Sequence, residues 1–168
     1  MSILIALAIS IGLLAVVATW VFLGPLAAMN LQIWQAFIAW ASFYHCGGKA
    51  AGLKNTAICM SFGAVVGAVS VMLAGQLGGL GALAAPVAVG IGAAVIVLAA
   101  RVQMLATLPA CVYGFASVAG LILLKGTAPV DAIVPTIASI VIGAAFGYAS
   151  EALGNKLAKP ATPAAATA

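Results

Sequence analysis

The chain has 168 residues, of which 66% are hydrophobic and 5% charged, with a formal charge of +4. A water-soluble domain carries about a quarter of its residues as charged side chains, so the 8 ionic side chains here cannot clothe a soluble surface and most of it must face lipid. The six basic residues are scattered and form no phosphate-tracking stripe, which excludes a nucleic-acid partner and leaves the bilayer as the expected one.

A membrane-spanning helix needs about 20 mostly apolar residues, and six candidate segments follow one another along the chain. The first, 3–23, ends at Gly24-Pro25. No basic segment opens it and its apolar run is too long for a signal peptide, so it is read as a membrane helix. The second, 30–46, carries Trp34, Phe37, Trp40 and Tyr44 at spacings of three and four, which places them along one face. Trp34 and Tyr44 suit the two membrane interfaces, whereas Phe37 and Trp40 lie deeper. Two readings stand side by side: an aromatic-lined path that strips water from a small solute, or packing against helices rich in small residues.

The second segment ends in His45 and Cys46, then Gly47-Gly48-Lys49. A lone histidine without a carboxylate or second imidazole makes no metal site. It either gates a pore by titrating near neutral pH or sits at the water boundary, where an imidazolium suits a helix C-terminus.

The third segment, 54–74, contains Gly63 and Gly67 and closes in GQLGGLG; the fourth, 82–100, turns at Arg101. The fifth, 103–124, carries Tyr113 and Ser117, and Lys125-Gly126-Thr127 ends it. The sixth, 129–150, contains Gly143 and Gly147. Small residues four apart let helix backbones approach closely, inside one subunit or between subunits. A homo-oligomer is expected from so small a chain. The predicted fold is all-α: one six-helix transmembrane domain over 1–155, followed by a cytoplasmic, disordered tail over 156–168 that includes the uncharged PATPAAATA.

Two stretches recur. AWASF at 39–43 matches GFASV at 114–118, and TAICMSFGAVVGAVS at 56–70 matches TIASIVIGAAFGYAS at 136–150. Helices 2 and 3 then correspond to helices 5 and 6, and helix 1 to helix 4, giving halves of about 1–75 and 80–155. Three helices per half invert the second half across the membrane, an arrangement common in transporters and channels. Lys49, Lys54, Arg101, Lys156 and Lys159 fall on one side and Lys125 alone on the other, so the positive-inside rule puts both termini in the cytoplasm.

The chemistry-bearing residues are few. Cys46, Cys59 and Cys111 show no CxxC spacing and read as buried thiols. Asp131 and Glu151 lie toward the two ends of the sixth segment rather than at mid-membrane, which argues against a proton-coupled carrier. Glu151 is expected to form a boundary pair with Lys156. Catalytic motifs are absent, and no enzyme activity, metal or cofactor is expected.

The stretches TLPACVYGFASVAG and IVPTIASIVIGAAFGYAS, with AFIAWASFYHCGGKAAGLKN in the first half, resemble the YcdZ-like small bacterial inner-membrane proteins, catalogued as a domain of unknown function (family 1097). The likeness runs to about Asn155. It implies an inner-membrane location and about six spans, and it brings no substrate.

Two functions compete. One is a channel or facilitator for a small uncharged or weakly polar solute, with its path near Phe37, Trp40, Ser42, Tyr44, Tyr113 and Ser117, and His45 as a gate. The other is a non-transporting accessory or scaffold subunit. A bundle solidly packed at the junction of the two halves would count against the first.

Overall fold

The computed structural model describes residues 1–158, and among them there are helices and no strands. Six α-helices follow in order: α1 (Ile3–Leu23), α2 (Ile33–His45), α3 (Lys49–Gln76), α4 (Ala84–Ala99), α5 (Leu108–Lys125) and α6 (Pro129–Leu157). Three short 3-10 turns, Ala27–Met29, Gly78–Leu83 and Gln103–Leu105, lie before α2, α4 and α5.

Helices α3 and α6 form the spine. The backbone N–H of Lys49, first in α3, donates to Glu151 Oε2 near the end of α6 at 2.6 Å, so the two run antiparallel. Each gathers two others: α5 and α4 lie on α3, while α2 and α1 lie on α6. Met60 and Ile140 are fully buried in one apolar cluster with Cys111, Val118 and Leu121. Burial follows a four-residue rhythm on the outer helices. Ala6, Ser10, Ala18 and Phe22 turn inward on α1, and Ala84, Ala88, Gly92 and Ile96 on α4. Their other faces present Leu4, Leu13, Val16, Val95 and Leu98 outward with no charge among them, as lipid-facing helices do.

Five helical stretches are long and apolar enough to cross a bilayer: α1, α3, Gly78–Ala99, α5 and α6. The second expected span is shorter than the sequence suggests. With 13 residues, α2 reaches about 20 Å against a hydrocarbon core of about 30 Å. Residues 30–32 do not join it because Asn30 is left-handed (φ 55°) and Gln32 is extended, its N–H donating to Ser139 Oγ at 3.0 Å. Its other end is cut by Gly47, Gly48 and Lys49, all with positive φ (88°, 66° and 57°). Glycine supplies two of those three conformations without strain.

Other boundaries shift for local reasons. The fifth helix starts at Leu108 rather than 103, since Pro109 lacks an N–H and fits a first turn. The sixth continues through Pro135 and on to Leu157, so residues 156 and 157, expected in the tail, are helical. The expected disordered segment from Pro160 lies outside the described residues.

Candidate functional site

The glycines of the two small-residue faces meet helices of their own chain. A Cβ on Gly63 would fall on the Cys111 carbonyl, and one on Gly143 on the Ala36 carbonyl. Gly67 lies against Phe115 and Val118, and Gly147 against the Phe43 ring. These glycines bring α3 onto α5 and α6 onto α2 at backbone distance, where dispersion holds helices together in lipid.

Polar side chains are buried between these close-packed helices in several knots. In the first, Ser150 Oγ accepts from Trp40 Nε1 at 3.0 Å, is bonded to Tyr44 OH at 2.8 Å and itself donates to the Gly147 carbonyl at 2.7 Å. The Ser150 carbonyl accepts from Ser10 Oγ at 2.9 Å, tying α1 into the same place. Trp40 stacks on Phe146 with centroids 5.7 Å apart. In the second knot Ser42 Oγ pairs with Thr56 Oγ1 at 3.2 Å, with Cys46 Sγ at 3.8 Å. In the third, on α2 where it meets α5 and α6, Gln35 Nε2 donates to the Ser117 carbonyl at 2.9 Å and to Thr136 Oγ1 at 3.1 Å. Gln35, Ser117 and Thr136 are fully buried, and Gln35 Oε1 and Ser117 Oγ have no bonding partner among the described residues.

The six residues expected to line one path are therefore divided. Trp40 and Tyr44 share the Ser150 knot, Ser42 belongs to the Thr56 knot, and Ser117 to the Gln35 knot. Phe37 stacks beside Trp40 but is 39% exposed on the outer surface. The Tyr113 hydroxyl bonds Nδ1 of the exposed His45 at 3.0 Å, linking the end of α2 to α5. Glu151 turns from Lys156 to the backbone of Lys49, so a carboxylate closes the positive N-terminal end of α3. Cys59 and Cys111 are buried and their thiols reach the Met104 and Leu105 carbonyls at 3.3 and 3.8 Å, pinning the turn before α5.

Surface clefts lie elsewhere, among them an apolar one at Trp20 and Leu23, another between α4 and α5 at Val89 and Phe115, and a polar one at Lys54 and Gln103. None of these, nor the clefts at Glu151 and at Phe146, is lined by the six expected residues.

Sequence reasoning missed Gln35, Thr56, Thr136 and Ser150. A signal for the first was present: Gln35 is a glutamine within an apolar, aromatic helix, where an amide needs partners from other helices. The family described as "Protein of unknown function (DUF1097)" matches residues 8–155. No curated protein and no solved structure matches the chain.

Proposed function

The chain belongs to the DUF1097 family, and from that premise we propose that it is a six-crossing facilitator that passes a small uncharged or weakly polar solute through the bacterial inner membrane. The reading takes the chain as two inverted three-helix halves. Several paired features support that duplication. Gly63 against Cys111 and Gly143 against Ala36 are the same contact displaced by 80 and 75 residues, the offsets of the sequence repeats. Thr56 and Thr136 are both fully buried, as is Ser150, and its counterpart Ser70 is nearly so. The pairing of α3 with α4 and α5 mirrors that of α6 with α1 and α2, and the antiparallel spine supplies the inversion. In this reading α2 completes its crossing with the non-helical residues before it, which lie against Ser139 of α6 rather than open lipid.

The observation that carries the facilitator is the Gln35 knot. An amide wholly buried where α2 of one half meets α5 of the other, with an unpaired acceptor and bonded to a serine whose own hydroxyl is unpaired, is the kind of group that recognises a neutral polar solute. The bundle is closed at this point and packed backbone to backbone where the halves meet, which counts against an open path, so passage requires α2 and α5 to part. The charge distribution supports cytoplasmic termini, and copies of the chain are expected to associate through the bare apolar faces of α1 or α4. We assign the protein no catalytic chemistry and no cofactor.

The test is flux. Purified protein in liposomes is followed by stopped-flow light scattering with a panel of small neutral solutes, beside empty liposomes and a Trp40→Ala variant. A solute-selective rate above that of empty liposomes, altered by the variant, is expected. Rates equal to empty liposomes across the panel would move the assignment to the second reading, a non-transporting membrane subunit. That reading draws on the backbone-to-backbone closure at Gly63, Gly114 and Gly143, which leaves little room between helices.

A further inference from the structure

The Gln35 amide has a fixed sense. The Ser117 carbonyl can only accept, so the atom facing it at 2.9 Å is the amide nitrogen, and the amide oxygen is left as the free acceptor. The Ser117 hydroxyl, on the residue whose carbonyl takes that bond, departs from two other buried serines of the chain. Ser70 and Ser139 each turn back to the carbonyl four residues earlier, at 2.8 Å, the local bond open to any helical serine. Ser117, the tenth of the 18 residues of α5, makes no such bond.

Packing does not call for an amide here. In the proposed duplication Gln35 corresponds to Ala110 and Ser117 to Ser42. Ala110 fills its place with a methyl group, and the Ser42 hydroxyl is paired with Thr56. The repeat-related pair, Ala110 and Ser42, leaves no side-chain group unpaired, whereas Gln35 and Ser117 leave two. In hydrocarbon, two such groups on a pair of hydrogen-bonded residues are costly until something bonds them.

We infer that Gln35 and Ser117 form a binding site for a single hydroxyl group of a neutral molecule, water or a small alcohol. Its O–H donates to Gln35 Oε1 and its oxygen accepts from Ser117 Oγ–H. One hydroxyl offers a donor and two acceptor positions at a single atom, so it completes both groups at once. An anion finds no positive side chain here, and a cation finds only one free amide oxygen. The passage of that molecule rests on the facilitator reading; occupancy of the site does not, and two measurements separate them.

The first is the thermal midpoint of purified Ser117→Ala and Gln35→Met in detergent micelles. Ser117→Ala removes one atom and retains the fold, and Gln35→Met keeps the length of the side chain. Gln35→Met loses its two direct bonds in any case and its midpoint falls; if a hydroxyl bridges the pair, Ser117→Ala also loses a bond and its midpoint falls by about 2–4 °C. If the Ser117 hydroxyl is unpaired in the protein, its removal relieves a desolvation cost, and an unchanged or raised midpoint overturns the site.

The second is flux in liposomes, with shrinkage in an impermeant sugar reporting water and reswelling in glycerol reporting an alcohol. Wild-type passage in one arm, slowed about five-fold by Ser117→Ala, names the occupant. Wild-type passage that neither variant changes overturns the site as part of the path and leaves the facilitator standing. Wild-type rates equal to empty liposomes in both arms and across the solute panel, with a lowered midpoint for Ser117→Ala, remove the facilitator and leave the site.

Discussion

The substitution Gly63→Ala places a methyl group where α3 and α5 touch backbone to backbone. The new Cβ would overlap the Cys111 carbonyl oxygen and lie 2.6 Å from its carbon. Ordinary contact begins at 3.4 Å, so the helices must retreat by about 0.8 Å at least, along an interface where backbone meets backbone. The obstacle is helical backbone, which cannot swing aside as a flexible side chain does. Separation also loosens the contacts of Met60 against Gly114, one turn along the same interface. Overpacking of this kind costs about 3 kcal/mol, the upper part of its usual range, which is about 6–12 °C in the midpoint of a chain of this size. Gly143→Ala, against the Ala36 backbone, is expected to match it. The assay is thermal unfolding in micelles followed by fluorescence-detected size exclusion, with Gly12→Ala and Gly90→Ala as controls, since a Cβ at either meets nothing within 4 Å. Midpoints for Gly63→Ala and Gly143→Ala equal to those of the controls would refute the close-contact reasoning.

Ser150→Ala strips Trp40 Nε1 and Tyr44 OH of their shared partner. A loss of about 1–3 kcal/mol is expected, read as a lowered midpoint, and an unchanged midpoint would mean the two groups find other partners. Glu151→Gln removes the negative charge from the N-terminal end of α3 while keeping an acceptor near Lys49 N. It is expected to cost about 0.5–1 kcal/mol, less in high salt; a cost that salt leaves untouched would point to packing instead of charge. In a cysteine-free background, single cysteines at Lys54 and Lys125 are expected to react with an impermeant maleimide from opposite sides of inverted and right-side-out vesicles. Labelling of both from the same side would mean that the number of crossings between them is even, contrary to the three supplied by α3, α4 and α5.

The helical, membrane-type fold was legible because composition and segment length alone carry it: long apolar runs broken by Gly24-Pro25, GQLGGLG and Lys125-Gly126 leave a chain in lipid no other backbone solution. The length of α2 was not legible in the same way. Nothing in Asn30-Leu31-Gln32 bars a helix by itself; the left-handed turn at Asn30 and the bond from Gln32 N–H to Ser139, 107 residues away, hold that piece out of it. The polar knots were hidden for a related reason. Serine and threonine in an apolar helix can satisfy themselves on their own backbone, as Ser70 does, so their presence does not announce partners on other helices. Glutamine is different: its amide carries two donors and an acceptor that its own turn cannot fully meet. Aromatic residues drew attention to the face of α2 that holds Phe37 and Trp40, yet Phe37 stands partly outside and Trp40 is fastened to Ser150. The residue on that helix whose bonding is incomplete is Gln35, one position after Trp34. In a hydrocarbon setting an incomplete hydrogen bond is a stronger pointer to a ligand than a run of rings, because rings pack against lipid and small residues at no cost while an unpaired amide oxygen does not.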